Sequence, residues 1–156
     1  MSRKKMDRAA RIFKSEISDG VMIREFCSIR NSFLGFMCQI YEGVIIKKSK
    51  VGERCEINAG TYIENTTIGN NVQIGPNCSI VGVTHDFSAK GISHEDIFER
   101  VSVGDETWIG ASVVILPGVK IGKNVVIGAG SIVGRDIPDN HRYVGSPLGN
   151  KLQPIE

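Results

Sequence analysis

Several common architectures are excluded by what this chain lacks. No apolar run approaches the ~20 residues that cross a bilayer as a helix, so no stable membrane insertion is expected. Neither sign of charge dominates: 19 Lys and Arg face 17 Asp and Glu, a formal net charge of +2. That balance argues against nucleic acid as a partner. Only four cysteines occur, at 27, 38, 55 and 78, and none has CxxC spacing. A disulfide framework and a cysteine zinc site are therefore not expected, and a reduced, cytoplasmic setting fits. A targeting segment is not expected, because no apolar stretch accompanies the basic residues near the N-terminus and Asp7 interrupts them.

What the chain has instead is a period of six. Val103, Ile109, Ile115, Ile121, Ile127 and Val133 are evenly spaced, and Gly follows five of the six. Four residues after each comes another small or apolar side chain: Thr107, Val113, Val119, Val125, Ser131 and Ile137. Six fits neither the 3.6-residue helix nor the two-residue strand. It fits a short strand and a tight turn, repeated, with one inward anchor per turn. Three such units make a coil of about 18 residues, and one coil cannot bury its own apolar face, so coils must stack.

The register continues upstream. Ile17, Ile23, Ile29, Gly35 and Tyr41 are six apart, with Gly35 and Tyr41 weak anchors. The phase slips through Lys47–Lys50 and resumes at Val51, Ile57, Ile63, Ile68, Ile74 and Ile80, the unit after Ile63 being one residue short. This predicts roughly four coils before residue 84 and two after residue 102. Cys27, Cys55 and Cys78 each follow an anchor by four and read as buried core thiols, while Cys38 falls off that register. The basic residues Arg3, Lys4, Lys5, Arg8, Arg11 and Lys14 read as a solvated helix capping the rod. At 156 residues the chain is one domain: a cap segment 1–16, the rod 17–147 and a tail 148–156.

Residues 84–101 break the repeat with His85, Asp86, Phe87, His94, Glu95 and Asp96. A polar interruption in a solenoid reads as an extruded loop, and such loops often carry the binding face.

The run from Val103 to Val133, with Trp-Ile-Gly-Ala at 108–111 and Ile-Gly-Ala-Gly at 127–130, resembles the hexapeptide-repeat acyltransferases, in their sugar and polysaccharide acetyltransferase branch. Asp136-Ile-Pro-Asp-Asn and Val144-Gly-Ser-Pro are similar to that branch's closing motif. The resemblance covers residues 17–147 and implies an all-β, left-handed parallel β-helix with a short N-terminal helix. It implies a homotrimer with sites between neighbouring subunits, acetyl-CoA as acyl donor without a metal, and a sugar or nucleotide-sugar acceptor in surface-polysaccharide biosynthesis. The histidine after the Ile-Gly-Pro-Asn coil becomes the base, His85. Ala111, Gly128 and Ala129 would lie along the pantetheine arm, and Arg135 at the nucleotide end. The chain departs from the family at Pro147-Leu-Gly-Asn, where a basic residue is usual; Lys151 is the substitute.

The chemistry suits those residues. A thioester is already activated, so the acceptor needs only a base to take its proton, and a histidine is suited to that. Asp86 either orients His85, binds acceptor or is a solvated carboxylate. His94, Glu95 and Asp96 form a second polar cluster: Glu95 holds the imidazole by its other nitrogen, or the cluster contacts the acceptor, or it is a polar turn before Ile97-Phe98. His141 reads as structural. Trp108, next to inward Thr107, should point outward. Asn58 is an acceptor contact only by loose analogy. Two other classes share such a rod. A γ-carbonic-anhydrase-like metal hydratase needs three ligands, but this chain has three histidines in all and lacks the close ligand pairing. A non-catalytic scaffold would not need the histidine loop.

Overall fold

The computed structural model describes residues 4–88, 90–146 and 149–154, the side chains of 146, 149–151 and 153 excepted. Strands of two or three residues alternate with tight corners, and each pairs in parallel with the strand one coil away. They stack into three faces, sheets of nine, seven and six strands. The first face carries Gln39–Ile40, Glu56–Ile57, Gln73–Ile74, Trp108–Ile109 and Val126–Ile127. The second carries Ile45–Lys47, Tyr62–Glu64, Ser79–Val81, Val114–Ile115 and Ile132–Val133. The third carries Phe33–Leu34, Lys50–Val51, Thr66–Ile68, Val101–Val103 and Lys120–Ile121. The result is an all-β parallel solenoid, in keeping with the left-handed β-helix that the resemblance implies.

The register corrects the sequence reading at two anchors. Buried inward positions are Ile17, Ile23, Ile29, Leu34, Ile40, Ile46, Val51, Ile57, Ile63, Ile68, Ile74 and Ile80. Steps therefore run six, six, five throughout, and Leu34 and Ile40 replace Gly35 and Tyr41. The slip is not a single event near Lys47 but one short corner in every coil before the interruption. Strand partners accordingly differ by 17: Met22 with Gln39, Gln39 with Glu56, Glu56 with Gln73. After the interruption they differ by 18, as in Trp108 with Val126 and Val114 with Ile132, and by 16 in the last coil, where Val126 pairs with Arg142. Cys38 then sits four residues after Leu34 and is buried like the other three thiols, so it too is on register. Each buried aliphatic contributes about 1.5–3 kcal/mol by leaving water.

A ladder of hydroxyls builds the short corner. Ser15, Ser32, Ser49 and Thr66 lie one coil apart. The Ser49 hydroxyl donates to the Lys47 carbonyl (2.6 Å) and accepts from the Thr66 amide (3.0 Å), while the Ser49 amide donates to the Ser32 hydroxyl (3.1 Å). A side chain with one donor and two lone pairs thus replaces the backbone partner that the missing residue would have supplied. The thiols do similar work at other corners: Cys38 Sγ donates to the Gly52 carbonyl (3.0 Å) and Cys55 Sγ to that of Gly69 (3.1 Å). Burial pushes the Cys27 and Cys78 thiols up, which keeps them protonated and inert.

The N-terminal helix is not present; among the described residues there is none. Lys5–Met6, Arg11–Phe13 and Glu16–Ile17 are strands that pair with Met22–Ile23, Ser28–Arg30 and Phe33–Leu34. Met6, Ile12 and Ile17 take the anchor positions, so the segment repeats the six-five step and is templated by the coil beside it. An in-register partner satisfies its backbone better than an isolated short helix could. At the other end, Gly149–Pro154 turns back antiparallel on His141–Ser146, so the segment expected as a tail adds an edge strand. The rod therefore has five coils before the interruption, one more than the sequence suggested.

Two stability outcomes follow. Ser49→Ala leaves the buried Thr66 amide without its acceptor and should lower the unfolding free energy by about 1–3 kcal/mol, read from the urea midpoint. Met37 is 55% exposed and holds φ 59°, a region that disfavours most L side chains but suits asparagine. Met37→Asn should raise the unfolding free energy by roughly 0.5–1 kcal/mol; a lower midpoint would show that the methionine side chain matters more than its backbone.

Candidate functional site

The interruption falls where the short corner becomes a full one. Upstream, that corner is Asn31-Ser32, Lys48-Ser49 and Asn65-Thr66; downstream it is Leu116-Pro117-Gly118-Val119. Between them, at the same corner, residues 83–98 form not a loop but a two-stranded antiparallel hairpin, Val83–Ser88 with Gly91–Phe98. Its root is closed by the rod. The Glu99 amide donates to the Gly82 carbonyl (2.9 Å) and the Gly118 amide to the Glu99 carbonyl (2.9 Å). Asn65 Nδ2 also reaches the Gly82 carbonyl, at 2.7 Å. The hairpin needs no core of its own: Phe87 is 79% and Ile92 67% exposed.

His85 sits on the first strand, opposite Asp96. Its Nδ1 is 3.2 Å from the Glu95 backbone carbonyl. A carbonyl only accepts, so this bond puts the proton on Nδ1 and leaves the Nε2 lone pair available. The Asp96 carboxylate lies 3.8 Å from Nδ1 and pairs with the ring when it is protonated. Glu95 therefore holds the imidazole through its backbone rather than its carboxylate. The carboxylate beside the ring belongs to Asp96, expected only as a member of the polar cluster at 94–96 and not as a partner of the imidazole. Antiparallel pairing supplies the reason: residues directly opposite share a face. The register shift after His85 breaks the simple alternation expected from sequence.

The other candidate residues divide between corners. The Asp86 carboxylate accepts from the Phe87 amide (2.8 Å), so it shapes the bulge locally. His94 is exposed in the second hairpin strand. Ala111, Gly128 and Ala129 stack on the corner between the first and second faces, where the Gly130 amide donates to the Ala111 carbonyl (2.8 Å). Glycine is required there: a Cβ at Gly110 would stand 2.7 Å from the Ala129 amide nitrogen. Arg135 is exposed at the hairpin's own corner, three coils beyond Asn65 and one past Gly118. Within one rod, then, the second face separates His85 from Ala111, Gly128 and Ala129. The Lys151 backbone pairs with Val144, but its side chain lies outside the described residues, as does Pro147.

The remaining side chains take structural places. His141 Nδ1 meets the Asp139 carbonyl at 2.8 Å. Asn58 Nδ2 is engaged by the Ile74 carbonyl at 3.0 Å. Trp108 is turned outward and 57% exposed. Among the described residues no three His, Cys, Asp or Glu side chains converge as metal ligands, and no helix is long and apolar enough to cross a membrane.

Known proteins are similar to this chain in sequence and in fold. The chain is 46% identical over 77 residues to a galactoside O-acetyltransferase of Lactococcus lactis subsp. lactis, covering 47% of this chain and 36% of that protein. It is 44% identical over 75 residues to the galactoside O-acetyltransferase of Escherichia coli K12, covering 47% and 37%. The chain thus spans well under half the length of these relatives. A hexapeptide-repeat-containing acetyltransferase from Vibrio cholerae O1 biovar eltor, solved with acetyl coenzyme A, superposes with a TM-score of 0.72 at 26% identity, over 79% of this chain and 70% of that one. The polySia-specific acetyltransferase NeuO shares the fold, with a TM-score of 0.75 at 22% identity over 98% of this chain and 75% of that one. Residues 1–96 match the family described as GlmU-like, C-terminal hexapeptide, and residues 100–135 match bacterial transferase hexapeptide (six repeats). Because the first match alone takes in more than half of the chain and the second resumes beyond the histidine hairpin, the chain belongs to the hexapeptide-repeat transferases.

Proposed function

We propose that this protein transfers an acetyl group from acetyl-CoA to a hydroxyl or amine of a sugar, with His85 as general base. The observation that carries the reading is the bond from His85 Nδ1 to the Glu95 carbonyl. It fixes the tautomer in which Nε2 can accept a proton. The acceptor O–H or N–H gives its proton to Nε2 as its oxygen or nitrogen attacks the thioester carbonyl. The tetrahedral intermediate collapses with cleavage of the C–S bond, and the imidazolium returns the proton to the CoA thiolate. The cycle needs neither a covalent enzyme intermediate nor a redox partner. Asp96 stabilises the imidazolium while it exists. The acetyltransferase relatives support the donor and the reaction class.

The pantetheine arm runs along Ala111, Gly128 and Ala129, where small residues leave backbone exposed to an extended ligand. That corner and the hairpin are separated by the second face of one rod. The active site is therefore composite, with the hairpin of one protomer reaching the glycine-lined corner of its neighbour in a homotrimer. Arg135 and Lys151 serve the nucleotide end of the donor. Asp86, His94 and Glu95 face the acceptor from the hairpin. The protein works in surface-polysaccharide biosynthesis in the cytoplasm.

Calorimetric titration of the assembled protein with acetyl-CoA should give one saturable site per chain. Absence of binding by folded, assembled protein would sink the transferase reading. With a competent acceptor, His85→Ala should lower kcat by about 10²–10⁴ while leaving acetyl-CoA affinity unchanged. Near-normal turnover in that variant would remove His85 as the base.

A further inference from the structure

Charge is segregated along the rod. The first three coils, up to residue 54, carry 12 Lys and Arg against 6 Asp and Glu, whereas residues 55–156 carry 7 against 11. The net charge of +2 is thus the remainder of +6 on the N-terminal coils and −4 on the rest. In the first coil Lys4, Lys5, Arg8, Arg11 and Lys14 are exposed. Among the described residues the ion pairs are Arg54 with Glu53 and His85 with Asp96, so these five take part in none. Lys14 also lines a cleft of the third face with Lys48, Lys50 and Arg100, which carries the basic surface on toward the hairpin.

The same end exposes apolar side chains. Met6, Phe13, Phe26, Phe36 and Met37 are each 50–71% exposed, whereas from residue 38 to residue 86 no large hydrophobic side chain is exposed. They occupy all three corners of the rod: Phe13 between the second and third faces, Phe26 between the first and second, Phe36 and Met37 between the third and first. With adjacent coils about 4.8 Å apart, this band encircles the rod over a height of about 10 Å. Arg8, Arg11 and Phe26 border one concavity of about 480 Å3, and Lys14 Nζ lies 5.3 Å from the centre of the Phe13 ring. Cation and ring therefore share two of the three corners.

Two of these side chains stand against the preference of their own backbone. Phe26 holds φ 61° and Met37 φ 59°, the left-handed region that favours glycine and asparagine. At the next two coils the Phe26 position is taken by Gly43 and Gly60, and the Met37 position by Arg54 and Asn71. At 71% exposure the Phe26 ring buries too little to offset its backbone cost. Strain that packing does not explain points to a function for the side chain. Cations and rings at one level match a bilayer surface, where anionic headgroups overlie acyl chains. Interfacial apolar groups enter to about 5–10 Å, the height of the band. A nucleic acid would engage the cations and leave the rings in water.

We propose that the N-terminal coils dock end-on on an anionic lipid surface. Headgroup phosphates meet Lys4, Lys5, Arg8 and Arg11, and the rings of Phe13, Phe26 and Phe36 enter the interface. The contact is peripheral, made by side chains, and does not depend on the acetyl-transfer reading. In the homotrimer proposed above, a threefold axis along the rods turns three such ends to one side, so the contacts reinforce one another. Trp108 lies five coil steps from Lys5 along the first face, about 24 Å away and clear of the lipid.

The test is sedimentation of the full chain, as assembled, with vesicles of phosphatidylcholine alone and of phosphatidylcholine mixed in equal parts with phosphatidylglycerol. Binding is expected to the mixed vesicles only, and to weaken as salt rises. Arg8→Glu combined with Arg11→Glu should weaken it by about tenfold or more. Phe26→Gly combined with Met37→Asn should weaken it by about tenfold or more, while the urea midpoint stays equal or rises. Fluorescence of Trp108, the sole tryptophan, should escape quenching by brominated lipid. Failure to bind the mixed vesicles overturns the proposal, as does equal binding to neutral ones or binding indifferent to either pair of substitutions. Weaker binding with a lowered urea midpoint overturns it by making Phe26 and Met37 packing residues. Quenching of Trp108 overturns the end-on placement. Retention of duplex DNA at the same salt, without vesicle binding, assigns the basic end to a nucleic acid instead.

Discussion

In-register stacking of one coil on the next is the constraint on which the rest depends. Each inward aliphatic packs chiefly on its counterparts 17 or 18 residues away, and each backbone amide on a face finds its acceptor in the adjoining coil. A step error of one residue would turn an anchor outward. The corners therefore need an exact residue count, and where a residue is missing a hydroxyl must replace it. The Ser15, Ser32, Ser49 and Thr66 ladder is that replacement.

The change from short to full corner locates the candidate site. Before the hairpin the corner next to the third face is short; after it the corner has its full length and coils grow from 17 to 18 residues. The hairpin leaves the rod at that transition, where neighbouring coils already differ in length. Because its strands pair with each other, it presents His85, Asp96 and a set of apolar side chains to solvent without disturbing the stack. The corner also gathers Lys14, Lys48 and Arg100 below the hairpin, so two chemically different surfaces meet along one edge: a base with its carboxylate, and a cationic cleft.

Some of this was legible in the residues and some was imitated by them. The period of six downstream of Val103 is strict, and it announces both the fold and the extent of the interruption. Upstream, Gly35 and Tyr41 preserved a spacing of six by coincidence and hid Leu34 and Ile40, which the structure buries. Reading hydroxyls at a spacing of 17 would have exposed the short corner. The clustered basic residues at the N-terminus suggested a helix, because charge is easily read while Met6, Ile12 and Ile17 repeat the anchor step too faintly to stand out. Glu95 was the natural partner for His85 by charge alone, but the main chain of Glu95 and the side chain of Asp96 share that place.

The sequence by itself determined the solenoid, the inward aliphatics downstream of Val103, the buried places of Cys27, Cys55 and Cys78, and the position of the extruded segment. These follow from local periodicity, since each unit repeats the same backbone path and its side chains alternate accordingly. Only the tertiary structure decided the imidazole's hydrogen-bond partner, the separation of Ala111, Gly128 and Ala129 from the hairpin by a full face, and the gathering of Lys14, Lys48, Lys50 and Arg100 around one cleft. Those relations join residues up to 86 positions apart, and they depend on how many residues each corner spends, a count that adds up coil after coil before any two side chains can meet.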